Sequence, residues 1–285
     1  MKLGERVKQR RRDLKLSQQS LAKGIATQSQ ISKIEKNELQ PGSQLLFNIS
    51  RKLNCSMDYL YVGEELDTQL EQKLKVIERL LEDRDYDALT PIIDGNYLSN
   101  SSTDEIAASK WVRSIIAFYK YEDINQALLL IEDAYKLIDS NMFTKLQVSI
   151  CNTRAIFYYR ESNNQLAKSS LEEGLQIAKR FNVEDNYKIK LYYTLSNIYF
   201  SEALYDRCLA YAQSALDITI NSNRYMLFSE LVYNIVQSKK EMKIIDDTDI
   251  KQLEVALYIS NLSKKHSVTI LIRDLMKSLK NTHDE

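Results

Sequence analysis

Two prolines and six glycines in 285 residues leave this chain almost without helix breakers. These residues oppose helix most strongly, by about 3 and about 1 kcal/mol relative to alanine. Leu, Ile, Lys, Glu, Gln and Ala are plentiful instead, and they lose little side-chain freedom in a helix. The chain is therefore expected to be all-α. Its length exceeds that of a usual single core, so one small and one larger domain are expected. With 44% hydrophobic and 27% charged residues it is too apolar for a disordered chain.

Charge is spread unevenly along the sequence. Residues 1–63 carry 12 Lys and Arg against 5 Asp and Glu, a net of +7, and the remainder balances this at −7 because the whole chain sums to zero. A small basic head on an acidic body is what a polyanion-binding module joined to a non-binding domain would show. Cys55, Cys151 and Cys208 are odd in number, far apart and without metal-ligand spacing, so neither a disulfide framework nor a zinc site is expected. They read as small hydrophobes in a reducing cytoplasm. The start, MKLGERVKQRRR, has no apolar signal core, and no apolar run of about 18 residues occurs. A cytoplasmic protein without membrane contact, metal or cofactor is expected. His266 and His283 stand near the end of the chain, and no HExxH, GxSxG, CxxC or phosphate-loop motif occurs, so no enzyme activity is expected.

In the head, Leu3, Val7 and Leu14 set the apolar stripe of a first helix. Ser17 suits the cap of a second, SQQSLAKGI, packed through Leu21 and Ile25. Thr27 suits the cap of a third, QSQISKIEKNE, whose inward face is Ile31 and Ile34. Pro41 ends that run; Leu46, Ile49 and Leu53 mark a fourth helix and Leu60 a short fifth. Five short helices in about 63 residues is the size of a phage-repressor-type helix-turn-helix domain.

The segment LSQQSLAKGIATQSQISKIEKNELQPGSQLLFNISRKLNCSMDYL resembles the Xre/Cro family of helix-turn-helix regulators. It reads L-S-Q-x-x-L-A, then I-S-K-I-E, then a proline and a final L-x-x-S-x-D-x-L. The turn between Leu21 and Ile31 is one residue tighter than is usual in the family, which is similar to the peptide-responsive Rgg and PlcR regulators. With Ile31 and Ile34 inward, Gln28, Ser29, Ser32, Lys33 and Lys36 lie toward the opposite face, and Thr27 stands where the helix begins. On a recognition helix Gln28 can pair with adenine, Lys33 can donate to guanine, and Ser29 or Ser32 can serve either. The resemblance places Gln18 and Asn37 on phosphates, and Arg11 and Glu35 in a buried salt bridge between the third and first helices. Arg6, Lys8, Arg10 and Lys23 are expected to add affinity for phosphates without sequence information. Of the run Arg10 to Arg12, one residue is expected inward and two solvated.

After a linker at 64–70, residues 71–285 show self-similarity at about forty residues. Ile115, Phe118, Ala127, Ile131 and Ala134 share spacing with Ala155, Tyr158, Ala167, Leu171 and Gly174, and with Ser196, Tyr199, Cys208, Ala212 and Ala215. Small, aromatic, small, large and small positions of this kind mark tetratricopeptide-like repeats. Weaker units lie around Tyr86 and Ala88 and over Tyr225 to Leu262, followed by a capping helix at SVTILIRDLMKSLK. About five stacked hairpins, a right-handed solenoid, are expected. By repeat register Tyr119, Asn152, Tyr159, Arg160, Tyr193, Asn197 and Asn234 face its concave side. Asn offers a donor and an acceptor to the main chain of an extended peptide, and Tyr supplies apolar walls.

A helix-turn-helix head followed by such repeats resembles the Rgg/PlcR class of peptide-sensing quorum-sensing regulators (RRNPP). That resemblance implies a homodimer on a double-stranded DNA operator, regulated by a short signalling peptide. The alternative is a phage or mobile-element repressor whose repeats mediate dimerisation and protein docking without a peptide.

Overall fold

The computed structural model describes residues 2–53, 55, 57–62, 69–95, 97–98, 102–138, 143–222, 225–263 and 265–281. Among these residues all regular structure is helical. The chain divides into two compact units, Met1–Val76 and Ile77–Glu285. Residues 64–68 of the expected linker lie outside the described residues, as does His283, while Gln69 and Leu70 open a helix.

The first unit contains α1 (Leu3–Asp13), α2 (Gln18–Ala22), α3 (Gln28–Glu35), α4 (Ser43–Lys52) and α5 (Met57–Val62). The local chemistry accounts for these short elements. Ser17 Oγ accepts from Ser20 N to begin α2, and α2 stops as the chain passes through Gly24 at φ +77°, a conformation that costs glycine nothing. Thr27 Oγ1 accepts from Gln30 N, and Gln30 Oε1 accepts from Thr27 N, a reciprocal cap on α3. Val7, Leu21, Ile31, Ile34, Leu46, Ile49, Leu53 and Leu60 are fully buried and form one core. Gly4 allows α1 to lie against the end of α3. A Cβ there would stand 1.9 Å from the Ile34 carbonyl oxygen, and Gly4 N donates to Asn37 Oδ1 at 2.8 Å.

α6 (Gln69–Glu82) crosses the division between the units. The second unit continues with α7 (Tyr86–Asp94), α8 (Thr103–Tyr119), α9 (Ile124–Tyr135), α10 (Thr144–Arg160), α11 (Asn164–Arg180), α12 (Asp185–Ser201), α13 (Tyr205–Asn221), α14 (Phe228–Glu241), α15 (Asp247–Leu262) and α16 (His266–Asn281). These are helical hairpins in series. Each turn from α6, α8, α10, α12 and α14 into its partner passes through one left-handed residue, Arg84, Glu122, Ser162, Ala203 and Lys243. In three of the five the next residue, Asp85, Asp123 or Asn163, caps the following helix through its side chain.

Small residues let the helices approach: Ala127, Ala134, Ala167, Cys208, Ala212 and Ala215 are fully buried. A Cβ on Gly174 would meet Leu191 and Cys151 at 3.1 and 3.2 Å. Cys151 and Cys208 are buried free thiols and Cys55 is half-buried; burial pushes the Cys151 thiol up to about 12. Side-chain hydrogen bonds then tie the first helices of successive hairpins together. Trp111 Nε1 donates to Thr153 Oγ1 at 2.8 Å from α8 to α10, and Thr194 Oγ1 donates to Asn152 Oδ1 at 3.0 Å from α12 to α10. Asn234 Nδ2 donates from α14 to Asn197 Oδ1 at 2.7 Å and Ser196 Oγ at 2.9 Å on α12. Two contacts among the described residues join α6 to α12: Tyr187 OH donates to Glu78 Oε1 at 2.7 Å, and Lys190 lies 3.3 Å from Glu82. Among the described residues no helix is long and apolar enough to cross a membrane.

Candidate nucleic-acid interface and inner repeat face

In the head, the packing of Ile31 and Ile34 turns the opposite side of α3 outward. Thr27, Gln28, Ser29, Lys33, Lys36 and Asn37 are exposed, whereas Ser32 and Gln18 are half-buried. Thr27 and Gln28 stand at the helix N-terminus, where orphan backbone N–H groups favour anions. An open depression of about 630 Å³ beside them is lined by Gln19, Ser20, Ala22, Lys23, Ala26 and Gln28. Asn37 has φ +59°, and its carbonyl oxygen is held by Gly4, so only its amide N–H₂ is available for an outside acceptor.

Beneath this surface Arg11 Nε and Nη2 donate to Glu35 Oε1 and Oε2 at 2.5 and 2.9 Å. Glu35 is 4% exposed. Burial alone would raise its pKa, but donation from Arg11 and Gln18 holds it below the usual carboxylate range. Gln18 Nε2 donates to Glu35 Oε2 at 2.9 Å, and Gln28 Nε2 donates to Gln18 Oε1 at 3.1 Å. Gln18, expected from the resemblance to meet a phosphate, also faces inward through this bond to Glu35.

Two basic residues need correction. Arg6 does not face phosphate: it is buried, and its guanidinium donates to the carbonyls of Leu60, at 2.8 Å, and Tyr61, holding α5 against α1. Arg10 is half-buried and donates to the Leu53 carbonyl at 3.2 Å, so in the run Arg10 to Arg12 only Arg12 is fully solvated. Lys8 and Lys23 are exposed.

In the second unit, Tyr119 and Arg160 are exposed, Asn152, Tyr159, Tyr193 and Asn197 are half-buried, and Asn234 is buried. The asparagines do not form an open ladder. Asn234 is 8% exposed with its amide N–H₂ on Ser196 and Asn197, so it braces Asn197 instead of lining a surface. Asn152 gives Oδ1 to Thr194, whereas the amide of Asn197 is engaged at both ends, accepting from Asn234 and donating to Tyr193. Two residues join the set that repeat register did not supply. Tyr86 stacks on Tyr119 with ring centroids 5.4 Å apart, and Arg84 lies near enough to act on Tyr86, Tyr119 and Tyr193. Loss of hydration raises the pKa of Tyr193 and, although the residue is 44% exposed, that of Tyr119, where the positive charges of Arg160 and Arg84 oppose it. Tyr86, Tyr119 and Tyr193 thus share the positive charge of Arg84, with Arg160 acting on Tyr119 and Asn197 bonded to Tyr193. Among the described residues no group of His, Cys, Asp and Glu could hold a metal ion.

Residues 7–60 match the helix-turn-helix family. The head is 36% identical over 69 residues to repressor protein C2 of Salmonella phage P22, and 36% identical over 64 residues to the HTH-type transcriptional regulator DicA of Escherichia coli. These matches cover 24% and 22% of this chain and 32% and 47% of those proteins, less than half the length of either. The chain is similar in structure to Bacillus thuringiensis PlcR, crystallised with the peptide PapR7 and DNA, with a TM-score of 0.66, 17% identity, and coverage of 95% of this chain and 98% of PlcR. The head is therefore a helix-turn-helix domain of the Xre type, and the chain as a whole has the PlcR fold.

Proposed function

We propose that this chain is a sequence-specific DNA-binding transcription regulator controlled by a short intracellular peptide. The observation that carries the first part is the exposed face of α3, where Gln28, Ser29 and Lys33 project from a rigid three-contact base: the Ile31 and Ile34 core, the Arg11–Glu35 pair and the Gly4–Asn37 bond. Such a helix can enter a major groove, about 12 Å wide, with Gln28 and Lys33 on base edges. Gln18, Thr27, Lys36 and the Asn37 amide then meet phosphates and set register. Ser32, half-buried, serves as the lesser of the two serines for base contact.

The second part is supported by the inner face of the repeats, together with a fold shared with a protein crystallised with peptide and DNA. Asn152 and Asn197 hold main-chain groups of an extended peptide, Tyr119, Tyr159 and Tyr193 supply walls, and Arg160 meets an anionic group. A peptide can shift the state of the protein only by its differential affinity for two forms. Those forms are arrangements of a homodimer whose two heads must match half-sites about one DNA turn, or a multiple of it, apart.

The test is fluorescence anisotropy of the full chain on DNA upstream of its own and adjacent genes, with and without synthetic fragments of small peptides encoded nearby. A peptide-dependent change in affinity supports the reading. Specific binding that no peptide changes would refute the peptide claim and leave a repressor whose repeats dock a protein. Lys33→Ala should weaken specific binding far more than nonspecific binding; equal losses would remove Lys33 from base reading.

A further inference from the structure

A helix leaves its last four carbonyls without an internal partner, and in a helix of five residues, as α2 is, that is nearly every carbonyl it has. The turn that follows serves only some of them. Lys23 N donates to Gln19 O, while Ile25 N and Ala26 N both converge on Ala22 O. Ile25 N would reach Leu21 O in a continuing helix and is here drawn one residue along. The donor for the remainder comes from another helix. Lys52, the last residue of α4, donates from Nζ to Leu21 O at 3.2 Å, to Ser20 O at 3.4 Å and to Lys23 O. An ammonium carries three protons and no acceptor, so these carbonyls use all it can give.

In sequence Lys52 is one of two basic residues in the last turn of α4, where a lysine ordinarily extends into water or meets the negative end of its own helix. In the structure it is half-buried, and its charge sits at the negative end of α2 instead. That end is where the direction of α3 is decided. Lys23 leads into Gly24 at φ +77°, and Thr27, three residues further on, caps α3. Nothing lies within 4 Å of the place a Gly24 Cβ would occupy, so no neighbouring side chain restrains that glycine. Holding the Lys23 carbonyl holds one side of this hinge.

We propose that Lys52 is a positioning residue for DNA reading: by donating to the carbonyls that end α2 it fixes how the chain turns into α3, and its charge is withheld from phosphate. The inference rests on α3 being the DNA-reading helix. Lys52 belongs to the basic head, and the competing role is that of a phosphate ligand. The two differ in what they do to binding. A lysine on a phosphate releases counterions and strengthens binding to every sequence alike. A brace of the turn affects only contacts that depend on where Gln28, Ser29 and Lys33 are placed, and leaves the salt dependence unchanged.

The experiment selects an operator for the full chain from duplexes with a randomised core, then measures anisotropy on that operator and on an unrelated duplex over a range of salt concentrations. Wild type, Lys52→Met and Lys23→Met are compared. Lys52→Met keeps the length of the side chain and removes its donors. It should bind the operator about tenfold more weakly, as when one base contact is lost, with the unrelated duplex and the salt slope as in wild type. Lys23→Met, which removes an exposed charge, should weaken both duplexes alike and lower the slope by about 1 per head. A second measurement needs no variant, and so holds even where Lys52→Met fails to fold. The wild-type chain is acetylated with an N-hydroxysuccinimide ester, with and without operator, and read by mass spectrometry. Lys52 should react slowly in both samples, whereas the exposed Lys23, Lys33 and Lys36 should react readily until DNA covers them.

Equal losses on both duplexes with a lower slope in Lys52→Met, or a Lys52 that reacts freely until DNA is added, would make it a phosphate ligand and overturn the brace. A folded Lys52→Met protein that binds both duplexes as wild type does removes Lys52 from DNA reading and leaves α3 as the reading helix. A wild-type chain that selects no operator overturns the regulator itself, and the role of Lys52 with it.

Discussion

Replacing Gly4 with alanine should loosen the head by about 3 kcal/mol, although alanine is the better helix former. The added Cβ would stand 1.9 Å from the Ile34 carbonyl oxygen, and C···O contacts settle at about 3.3 Å or more, so α1 must retreat by about 1.4 Å. The obstacle is backbone, which cannot rotate aside like a side chain. Overpacking of this kind costs up to about 3 kcal/mol. The retreat also breaks the Gly4–Asn37 hydrogen bond, a further loss of about 1 kcal/mol. Against these stands a gain of about 1 kcal/mol from helix propensity. The net corresponds to about a hundredfold faster opening of the head. Hydrogen exchange of the full chain reads this directly, because amides of α1 and α3 should exchange about a hundredfold faster while those of α10 to α13 stay unchanged as an internal control. Gly42→Ala is the matched comparison: nothing lies within 4 Å of its Cβ, and its φ of −66° suits any residue. If Gly4→Ala exchanged at the wild-type rate, the close approach of α1 to α3 would not be the reason for glycine there.

Arg6→Ala and Arg12→Ala should separate structural from solvated arginines: the first leaves the Leu60 and Tyr61 carbonyls without their donor and should destabilise the head by about 2–3 kcal/mol in urea titrations. The second should leave stability within about 0.5 kcal/mol of wild type. Opposite pH responses are expected of the two units. Glu35 has a pKa below the usual carboxylate range, so its contribution is present above that range and is lost as pH falls through the folded-state value. The urea midpoint of the head, followed by the methyl signals of Ile31 and Ile34, should drop in acid, and should not drop in the same way in Glu35→Gln. Glu78 is shifted upward, first by burial and against the Tyr187 hydrogen bond and Lys190. Its folded form prefers the proton, so relative to Glu78→Gln the second unit should lose stability as pH rises from the ordinary carboxylate range through the raised value, read by the fluorescence of Trp111. A flat difference between those two proteins would show that Glu78 does not feel its burial.

The helices of the head and the forty-residue period of the body could be read from the sequence, because caps and small buried residues act through near neighbours. Ser17, Thr27, Ile31 and Ile34 all do in the structure what their spacing implies. Contacts between distant residues could not be read. Amphipathic periodicity sends every charged side chain outward, so it cannot single out Arg6, whose partners lie more than fifty residues on. Gly4 is needed only because Ile34 arrives from another helix. Asparagine suits a ligand and another asparagine equally well, and repeat register alone could not show that Asn234 is already joined to Asn197. The recurring left-handed turn residue followed by Asp or Asn was visible as Arg84-Asp85, Glu122-Asp123 and Ser162-Asn163, but only its backbone angles give it meaning.

The contact of α6 with α12 bears on how the repeats come apart. In a stack where each hairpin touches only the next, opening can start at an end and proceed one unit at a time, each step governed by a single interface. Tyr187 with Glu78 and Lys190 with Glu82 join residues 109 and 108 positions apart. They make the first hairpin's fate depend on the fourth, so the leading units cannot fray independently. Severing that bond with Tyr187→Phe should turn one cooperative transition into a sequential one, with the α6–α7 end melting first.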